Sequence, residues 1–206
     1  MALTSDARAE RRASLWRSLV AEYERRFPAS QALSKQAAGR LIDGGSHTAR
    51  LMSPYPCWVN HAQGGYVDVV DGYHILDFWQ GHFANVLGHS PAVVTDALAQ
   101  MLQGGHGLQS GMQDVREWEL ADLLCRRIGV ERIRFTTSGS LATMYALLLA
   151  RAFTGRDLIL KIGGGWHGAQ PWGLKGVHFG ATGYTEAESA GLPAGILDQV
   201  LVTPYN

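Results

Sequence analysis

Apolar residues in the first part of the chain recur with two different periods. Over residues 6–26 they fall on one helical stripe between arginine and glutamate residues, which predicts an amphipathic helix. Over residues 57–78 they come in short runs that a Gly-Gly pair and an Asp-Gly pair separate. Such pairs are typical of hairpin turns, so this stretch is predicted to form short strands.

Two further helices are predicted where the helical period returns. Ser90 is placed to cap a helix, Pro91 suits its first turn, and an apolar stripe follows. Asp114 is predicted to cap a second helix, which Gly129 closes because glycine readily adopts the left-handed conformation at a helix end.

Strand and helix signals alternate in the rest of the chain. The pattern predicts a strand at 133–137, a turn at 138–140, a strongly apolar helix at 141–155, and strands at 156–162 and 199–203. Strand, helix and strand in this order indicate a mostly parallel sheet. The predicted fold class is therefore α/β, with a small β-rich N-terminal portion and an incomplete parallel sheet with flanking helices.

These patterns divide the chain into three regions. A helical segment covers 1–37, the small β-rich portion covers 38–90, and the α/β region covers 91–206. No helix follows the last strand, although parallel sheets are normally covered on both faces. We therefore expect the chain to be the front part of a longer fold; the alternative is that the N-terminal helices cover the sheet.

Composition narrows the classes of function. The 206 residues carry 18 basic and 18 acidic side chains, and this balance argues against a nucleic-acid partner. Apolar runs are shorter than the ~20 residues that span a bilayer, so no membrane segment is predicted. Two cysteines form no disulfide framework and eight histidines show no metal-ligand spacing. A cytoplasmic protein without a metal is the resulting prediction.

A glycine pattern near the C-terminus imitates a dinucleotide-binding fingerprint. Gly163, Gly165 and Gly168 spell G-x-G-x-x-G directly after an apolar strand. The fingerprint requires a helix after its last glycine, so that the helix N-terminus faces a pyrophosphate. Pro171 and Gly173 oppose that helix. A dinucleotide site is therefore disfavoured, and the segment calls for another explanation.

A short turn of small residues precedes the most apolar helix. Ser138, Gly139 and Ser140 lie between a predicted strand and this helix. The first N–H groups of a helix and the positive end of its dipole attract anions, and serine hydroxyl groups add donors. Two interpretations stay open from the residues alone: an anion site, or a serine that merely caps the helix.

An aromatic residue and a histidine lie inside the glycine-rich turn. Trp166 and His167 are flanked by glycines at the C-terminal end of a predicted strand. Parallel sheets bind ligands at this edge, and an exposed indole there can stack on a planar ring. The alternative is that Trp166 is a core aromatic residue and that the glycines only serve turns.

These two sites together carry a family resemblance. The segment FTTSGSLATMYALLLARAFTGRDLILKIGGGWHG resembles the cofactor segment of class III pyridoxal-phosphate aminotransferases. The similarity extends to GGSHTAR, VDVVDGYHILDF, NVLGHSP and VLVTPYN, and so covers residues 38–206. Among the subgroups of the family, the glutamate-1-semialdehyde 2,1-aminomutases are the most similar.

The resemblance implies a fold, a cofactor and a reaction class. The fold would be that of the fold-type I pyridoxal-phosphate transferases, and the cofactor would be pyridoxal 5'-phosphate. Ser138, Gly139 and Ser140 would hold its phosphate, while Trp166 and His167 would form the turn against its ring. The complete protein would be a homodimeric aminotransferase or aminomutase acting on a small amino substrate with a carboxylate.

Several residues depart from the family pattern. Leu141 stands where the family has glutamate, and Trp166 stands where tyrosine or phenylalanine is usual. On the substrate side, Arg50 matches the arginine that would pair with a carboxylate. His82, however, replaces a tryptophan of the aminomutases, which puts glutamate semialdehyde in doubt as the substrate.

The family's Schiff-base lysine and the aspartate at the pyridine nitrogen have no counterpart in this chain. Its three lysines are Lys35, Lys161 and Lys175, and none matches the family lysine. The chain by itself is therefore expected to be inactive. Two alternatives stay open: a non-catalytic remnant that dimerises or binds cofactor, and a nucleotide-binding α/β domain.

Overall fold

The computed structural model describes residues 5–46, 50–105, 111–181 and 183–206. The chain forms two compact units, Met1–Gly111 and Met112–Asn206, called here the N-terminal unit and the C-terminal unit. The division into three regions that the sequence suggested stays a prediction. Within the described ranges, none of the helices has the length and apolarity needed to span a bilayer.

Two helices open the N-terminal unit. Helix α1 spans Ser5–Arg26, as the apolar stripe predicts, and α2 spans Pro28–Ala38. Only Phe27 separates them, because Pro28 ends one helix and occupies the first turn of the next, where its missing N–H is not needed.

Three short strands follow: β1 is Val59–Gln63, β2 is Tyr66–Val69 and β3 is His74–Leu76. They form an antiparallel sheet in the order β1-β2-β3, which confirms the hairpin prediction. Val69 is only 1% exposed and belongs to the small core of this unit.

Polar contacts join α2 to the sheet. The Asp71 carboxylate, in the turn after β2, accepts the N–H of Ala29 at 2.7 Å and the hydroxyl of Ser30 at 2.5 Å. The fully buried Ser30 hydroxyl in turn accepts the N–H of Trp58 at 3.0 Å. Asp71 therefore caps a helix that lies about 40 residues away in the sequence, where a carboxylate also favours the helix dipole.

An aromatic cluster joins α1 to the same region. The Tyr23 hydroxyl donates to the Tyr55 carbonyl at 2.9 Å, and the Tyr23 ring lies 4.5 Å from that of Phe27. Burial, together with the fields of Cys57, Tyr55 and Asp71, raises the pKa of Tyr23 to about 12.

A single helical turn, α3, follows β3 and has an unusual backbone. It spans Gln80–Phe83, and its four residues have positive φ angles, from 43° to 65°. The turn is thus left-handed, although L-amino acids other than glycine disfavour that conformation by about 1 kcal/mol each.

Two longer helices follow, and one of the caps predicted for them is not formed. Helix α4 spans Ala92–Gln103, and α5 spans Val115–Ile128 between the Asp114 cap and the left-handed Gly129. Ser90 does not cap α4, because its hydroxyl donates to the Ala62 carbonyl at 3.0 Å instead. The prediction for Ser90 was therefore wrong.

The C-terminal unit contains a two-stranded parallel sheet. Helix α6 spans Gly139–Thr154, β4 spans Ile159–Ile162 and β5 spans Val200–Thr203, with a four-residue helix α7, Ala194–Leu197, before β5. Strands β4 and β5 pair in parallel, as predicted.

The strand predicted at 133–137 is not formed. None of the described residues pairs with this segment. A strand is defined by its hydrogen-bonded neighbour, and an apolar run without one stays irregular however strong its β propensity is.

Candidate functional site

Ser138 and the start of α6 form the first part of the candidate site. Ser138 is the N-cap residue, and its hydroxyl oxygen accepts the N–H of Leu141 at 3.2 Å. Gly139 and Ser140 already lie in the first turn, so the helix begins two residues earlier than predicted. The capping interpretation therefore holds for Ser138, but a cap uses only the hydroxyl oxygen and leaves its hydrogen to bind another acceptor.

The Ser140 hydroxyl is used in the same way as that of Ser138. Its hydroxyl oxygen accepts the N–H of Ala169 at 3.0 Å, which leaves the hydrogen as a donor. The first intrahelical bond of α6 runs from the Ala142 N–H to the Ser138 carbonyl, so the N–H groups of Gly139 and Ser140 have no intrahelical acceptor. The first turn of α6 contains no acidic residue. Donors and a positive dipole end therefore meet here with no negative side chain of the helix to oppose an anion.

The glycine-rich turn packs directly on this helix start. Gly168 has a φ of 90°, and a β-carbon on it would lie 2.7 Å from the Cα of Ser140. Thr143 fixes the same contact, since its hydroxyl lies 2.9 Å from the His167 carbonyl oxygen and donates to it. Gly168 is thus required for close approach to α6.

The other two glycines of the apparent fingerprint also have packing roles. A β-carbon on Gly163 would lie 2.6 Å from the Tyr184 ring, and one on Gly165 would lie 2.7 Å from the His167 ring. Where the fingerprint requires an α-helix directly after Gly168, the chain forms the short 3-10 turn Pro171–Gly173. The pattern therefore reflects close contacts of the backbone, not a dinucleotide-binding turn.

Trp166 and His167 are presented at the outside of this turn. The Trp166 side chain is 59% exposed, so the interpretation as a core aromatic residue does not hold in this structure. Loss of hydration lowers the pKa of the His167 imidazole, and the nearby Lys161 ammonium lowers it further. Both effects favour the neutral form of the imidazole.

Two lysines beneath the turn are bonded to main-chain carbonyl groups. The Lys161 ammonium donates to Gly173 at 2.5 Å and to the carbonyl of Lys175 at 2.6 Å. The Lys175 ammonium donates to Leu197 at 2.7 Å and to Val200 at 2.8 Å. Sequence reasoning missed these contacts, because their acceptors are backbone atoms of irregular segments that no side-chain pattern reveals.

The predicted substrate residues Arg50 and His82 belong to the N-terminal unit. Arg50 is exposed, and its guanidinium donates to the Ser46 hydroxyl at 3.3 Å; residues 47–49, which precede it in the compared motif, lie outside the described residues. His82 lies in the left-handed turn α3, with its ring 4.9 Å from that of Trp79 in an edge-on contact.

A half-buried polar group holds the turn that carries His82. Asp77 accepts the N–H of Trp79 at 2.7 Å and that of Gln80 at 3.2 Å, and it lies 2.7 Å from Nε2 of His89. Burial alone would raise the pKa of Asp77, but these hydrogen bonds outweigh it and hold the pKa below its usual value. The sequence shows only that Asp77 and His89 are 12 residues apart, and such a spacing does not predict that the two side chains are in contact.

Metal binding has no structural support in the part of the chain that the structure describes. No three histidine, cysteine, aspartate or glutamate side chains there are grouped so that they could hold an ion.

Comparison with known proteins now assigns the family. The family model described as aminotransferase class-III matches residues 47–176, which is more than half of the chain. The chain belongs to the class-III aminotransferase family. The resemblance inferred from the motifs is thereby confirmed.

Individual relatives agree with this class-III assignment. The glutamate-1-semialdehyde 2,1-aminomutase of Methanopyrus kandleri is 34% identical over 185 residues, which cover 89% of this chain and 43% of the relative. An omega-transaminase from Sphaerobacter thermophilus has a TM-score of 0.78 at 30% identity, over 86% of this chain and 42% of that chain.

A further solved structure shows the fold with its cofactor. A transaminase described with PLP bound has a TM-score of 0.79 at 34% identity, over 87% of this chain and 42% of that chain. The predicted fold-type I architecture is therefore confirmed for this class-III chain. The chain spans about two fifths of the length of the relatives that it matches.

Proposed function

We propose that this class-III chain contributes the cofactor-phosphate and ring-contacting part of a pyridoxal-phosphate-dependent aminotransferase or 2,1-aminomutase. The substrate class would be amino acids or amino ketones that bear a carboxylate. The observation that carries the proposal is the contact of the α6 N-terminus with the glycine-rich turn, because it brings anion donors and an exposed aromatic side chain together.

The start of α6 fits a phosphate group. Ser138 and Ser140 both use their oxygens as acceptors and keep their hydrogens to donate. Gly139 has open space around it, with no atom within 4 Å of where a β-carbon would be, so the helix N-terminus can be approached closely. A phosphate dianion, which only accepts hydrogen bonds, matches this set of donors.

Trp166 and His167 suit the ring of the same molecule. An exposed indole on a turn held by packed glycines offers a flat apolar surface, and aromatic stacking contributes about 1 kcal/mol. When it is bound, pyridoxal phosphate supplies an electron sink that allows the substrate Cα–H bond to break. The residues of this chain hold and orient that group.

Arg50 and His82 are proposed to act on the substrate side. The Arg50 guanidinium is exposed and charged, and it can bind a substrate carboxylate through two parallel hydrogen bonds. His82 offers an imidazole where the aminomutases offer an indole. A substrate that hydrogen-bonds at this position is therefore favoured over glutamate semialdehyde.

We further infer that the complete protein is a homodimer in the cytoplasm. Cys57 and Cys125 are free thiols, as a reducing compartment favours. Size-exclusion chromatography with light scattering of the complete protein tests the oligomeric state.

A second candidate function is a cofactor-binding module without turnover. The observation that favours it is that Lys161 and Lys175 both donate to backbone carbonyls. We expect borohydride reduction after incubation with pyridoxal phosphate to leave both unmodified, as intact-protein and peptide mass spectrometry would show. Stoichiometric labelling of either lysine would contradict this.

The decisive experiment separates a helix cap from an anion site. Ser138→Asp keeps or improves the cap, since aspartate caps helices as well as serine does, but it places a negative charge at the proposed phosphate position. We expect the chain to stay as stable as the unaltered protein, while its affinity for pyridoxal phosphate falls by about ten-fold or more. Ser189→Asp in an exposed loop adds the same charge as a control.

Ser140→Ala tests the second hydroxyl. Loss of one charge-assisted hydrogen bond should weaken pyridoxal-phosphate binding by about ten-fold. Pyridoxal without its phosphate should bind the variant and the unaltered chain equally. Asp157→Ala, near the far end of α6, is the control. Equal phosphate-ligand affinities for Ser138→Asp, Ser140→Ala and both controls would reject the proposed cofactor site.

A further inference from the structure

Lys161 is a buried cation in the C-terminal unit. It lies in β4, and only 5% of its surface is exposed. Its ammonium contacts are the carbonyls of Gly173 and Lys175, while Glu188 acts on it through its electric field, with no ion pair among the described residues. Burial consequently lowers the pKa of Lys161.

Such a group is an unfavourable choice for stability alone. Transfer of an ammonium group out of water is costly unless it is paired, and apolar residues of similar size are often neutral or stabilising replacements. Methionine or leucine would fill the same place in a strand. A lysine at this position therefore calls for a role that depends on its charge or on its donors.

The contacts of Lys161 show what it fixes. The turn with Trp166 and His167 leaves β4 at Gly163, whose N–H donates to Thr203 of β5 at 2.8 Å. At its other end the turn reaches Gly173, where the Lys161 ammonium holds the carbonyl at 2.5 Å. Both ends of the turn are thus attached to the same two-stranded sheet, one by the strand ladder and the other by Lys161.

We propose that Lys161 is the positioning residue of this turn: it closes the turn onto β4 and so sets the place of Trp166 and His167. The ligand that benefits is the pyridoxal ring, so this inference rests on the proposed function. Lys175 extends the same attachment to the chain before and within β5 through its bonds to Leu197 and Val200.

The same geometry gives Lys161 an electrostatic effect on His167. Its charge lies close enough to lower the pKa of the imidazole, in addition to the effect of lost hydration. A merely space-filling residue at position 161 would leave that pKa unaffected by charge. The pKa of His167 therefore reports on the ammonium even in the absence of any ligand.

The test compares Lys161→Met with Lys161→Arg and with Lys35→Met as an exposed control. NMR titration of the His167 ring in the full chain without cofactor should show a higher pKa in Lys161→Met, and no change in Lys35→Met. Lys161→Arg keeps a cation and should keep the pKa low. Pyridoxal-phosphate affinity should fall by about ten-fold in Lys161→Met, the loss of one charge-assisted bond.

Outcomes separate this inference from the proposed function. If Lys161→Met folds and leaves both the His167 pKa and the affinity like those of Lys35→Met, Lys161 has no positioning role. If Ser138→Asp and Ser140→Ala are without effect on binding while the His167 pKa still responds, the proposed function fails and the placement of Lys161 stands.

Amine labelling of the unaltered chain gives a measurement that does not depend on how a variant folds. With only three lysines, peptide mass spectrometry after brief acetylation reads each one separately. Lys35 should be modified rapidly, and Lys161 and Lys175 slowly. Equal rates for Lys35 and Lys161 would overturn the inference.

Discussion

The two small sheets of this chain are completed in different ways. The antiparallel strands β1–β3 lie next to one another in the sequence, and the buried Val69 and the Asp71 contacts to α2 belong to the same unit. The parallel strands β4 and β5 bury Val200, but Leu160 of β4 remains 72% exposed and Leu201 of β5 52% exposed.

The difference follows from how antiparallel and parallel sheets acquire their cores. Antiparallel hairpins are closed by local turns and need cover on one face, whereas a parallel sheet needs helices on both faces. The solved class-III relatives are more than twice as long as the segment matched here. We expect the N-terminal sheet to be stabilised mainly by contacts within its own unit, and the parallel pair to depend on fewer of them.

The largest expected loss of stability is for Asp71→Ala, in the N-terminal unit. The change removes the acceptor of the Ala29 N–H and of the buried Ser30 hydroxyl. Bonds to a charged group are worth about 1.5–3 kcal/mol each, so stability should fall by about 3 kcal/mol in urea unfolding. Asp68→Ala is the control, because the Asp68 carboxylate is exposed and contacts two exposed histidines. An equal loss in both variants would contradict the assignment of Asp71 as a distant helix cap.

Gly168→Ala should have the next largest effect, in the C-terminal unit. The new β-carbon would lie 2.7 Å from the Cα of Ser140, and φ is 90°. A loss of about 2 kcal/mol is expected from strain and displaced backbone. Gly139→Ala, with open space and helical backbone, should be neutral or slightly stabilising. Thermal unfolding followed by circular dichroism compares the two, and similar midpoints would show that the turn does not depend on Gly168.

Tyr23→Phe should have a moderate effect that depends on pH. It removes the bond to the Tyr55 carbonyl and should lower stability by about 1 kcal/mol at neutral pH. Because folding raises the pKa of Tyr23 from 10.0 to about 12, the folded form is disfavoured as the unfolded phenol ionises. The contribution of Tyr23 is therefore full below pH 10 and is lost as the pH rises to about 12.

Urea unfolding at several alkaline pH values measures that loss. The unaltered chain should lose stability more steeply than Tyr23→Phe across this window. Tyr205→Phe, which changes an exposed ring, should follow the unaltered chain. A parallel decline in all three would show that Tyr23 does not ionise differently on folding.

The smallest effect on stability is expected for Leu160→Gln, in strand β4 of the C-terminal unit. Leu160 is largely exposed, so its replacement should change the stability of the chain by less than about 0.5 kcal/mol. It should also reduce self-association in sedimentation experiments, since it removes part of an apolar patch. A loss above about 1 kcal/mol would show that β4 is buried in solution, in conflict with this structure.

The elements that could be predicted from the sequence are those fixed by contacts between residues close together in the chain. Helix α5 was predicted from the Asp114 cap to the closing Gly129, because both act through bonds within a few residues. The hairpins were predicted for the same reason. The strand expected at 133–137 failed because none of the described residues pairs with it, and the cap expected at Ser90 failed because the Ser90 hydroxyl binds the Ala62 carbonyl, 28 residues away in the sequence.

In the candidate site, too, the residues predicted from the sequence belong to local motifs, and the others act through contacts with distant residues. The donors of Ser138 and Ser140 followed from a local motif at a helix start, and Trp166 followed from its place between glycines after a strand; the resemblance then related both to one cofactor. The reasons for Gly163 and Gly168 are contacts with Tyr184 and Ser140, which only the folded chain supplies. The buried lysines were equally hidden, because a lysine in an apolar run carries no sign of which carbonyls it will meet.

The left-handed turn α3 has a backbone conformation that favours glycine at positions where this chain has other residues. Gln80, His82 and Phe83 have φ angles of 43°, 61° and 65°, where glycine would be more favourable at each position. Glycine replacements there are expected to make the chain more stable, by up to about 1 kcal/mol each. The chain instead keeps side chains that make contacts glycine could not replace. The Gln80 amide donates to the Gly64 and Asp77 carbonyls, and the Phe83 ring lies 5.3 Å from that of Trp79, so these contacts compensate part of the backbone cost of α3.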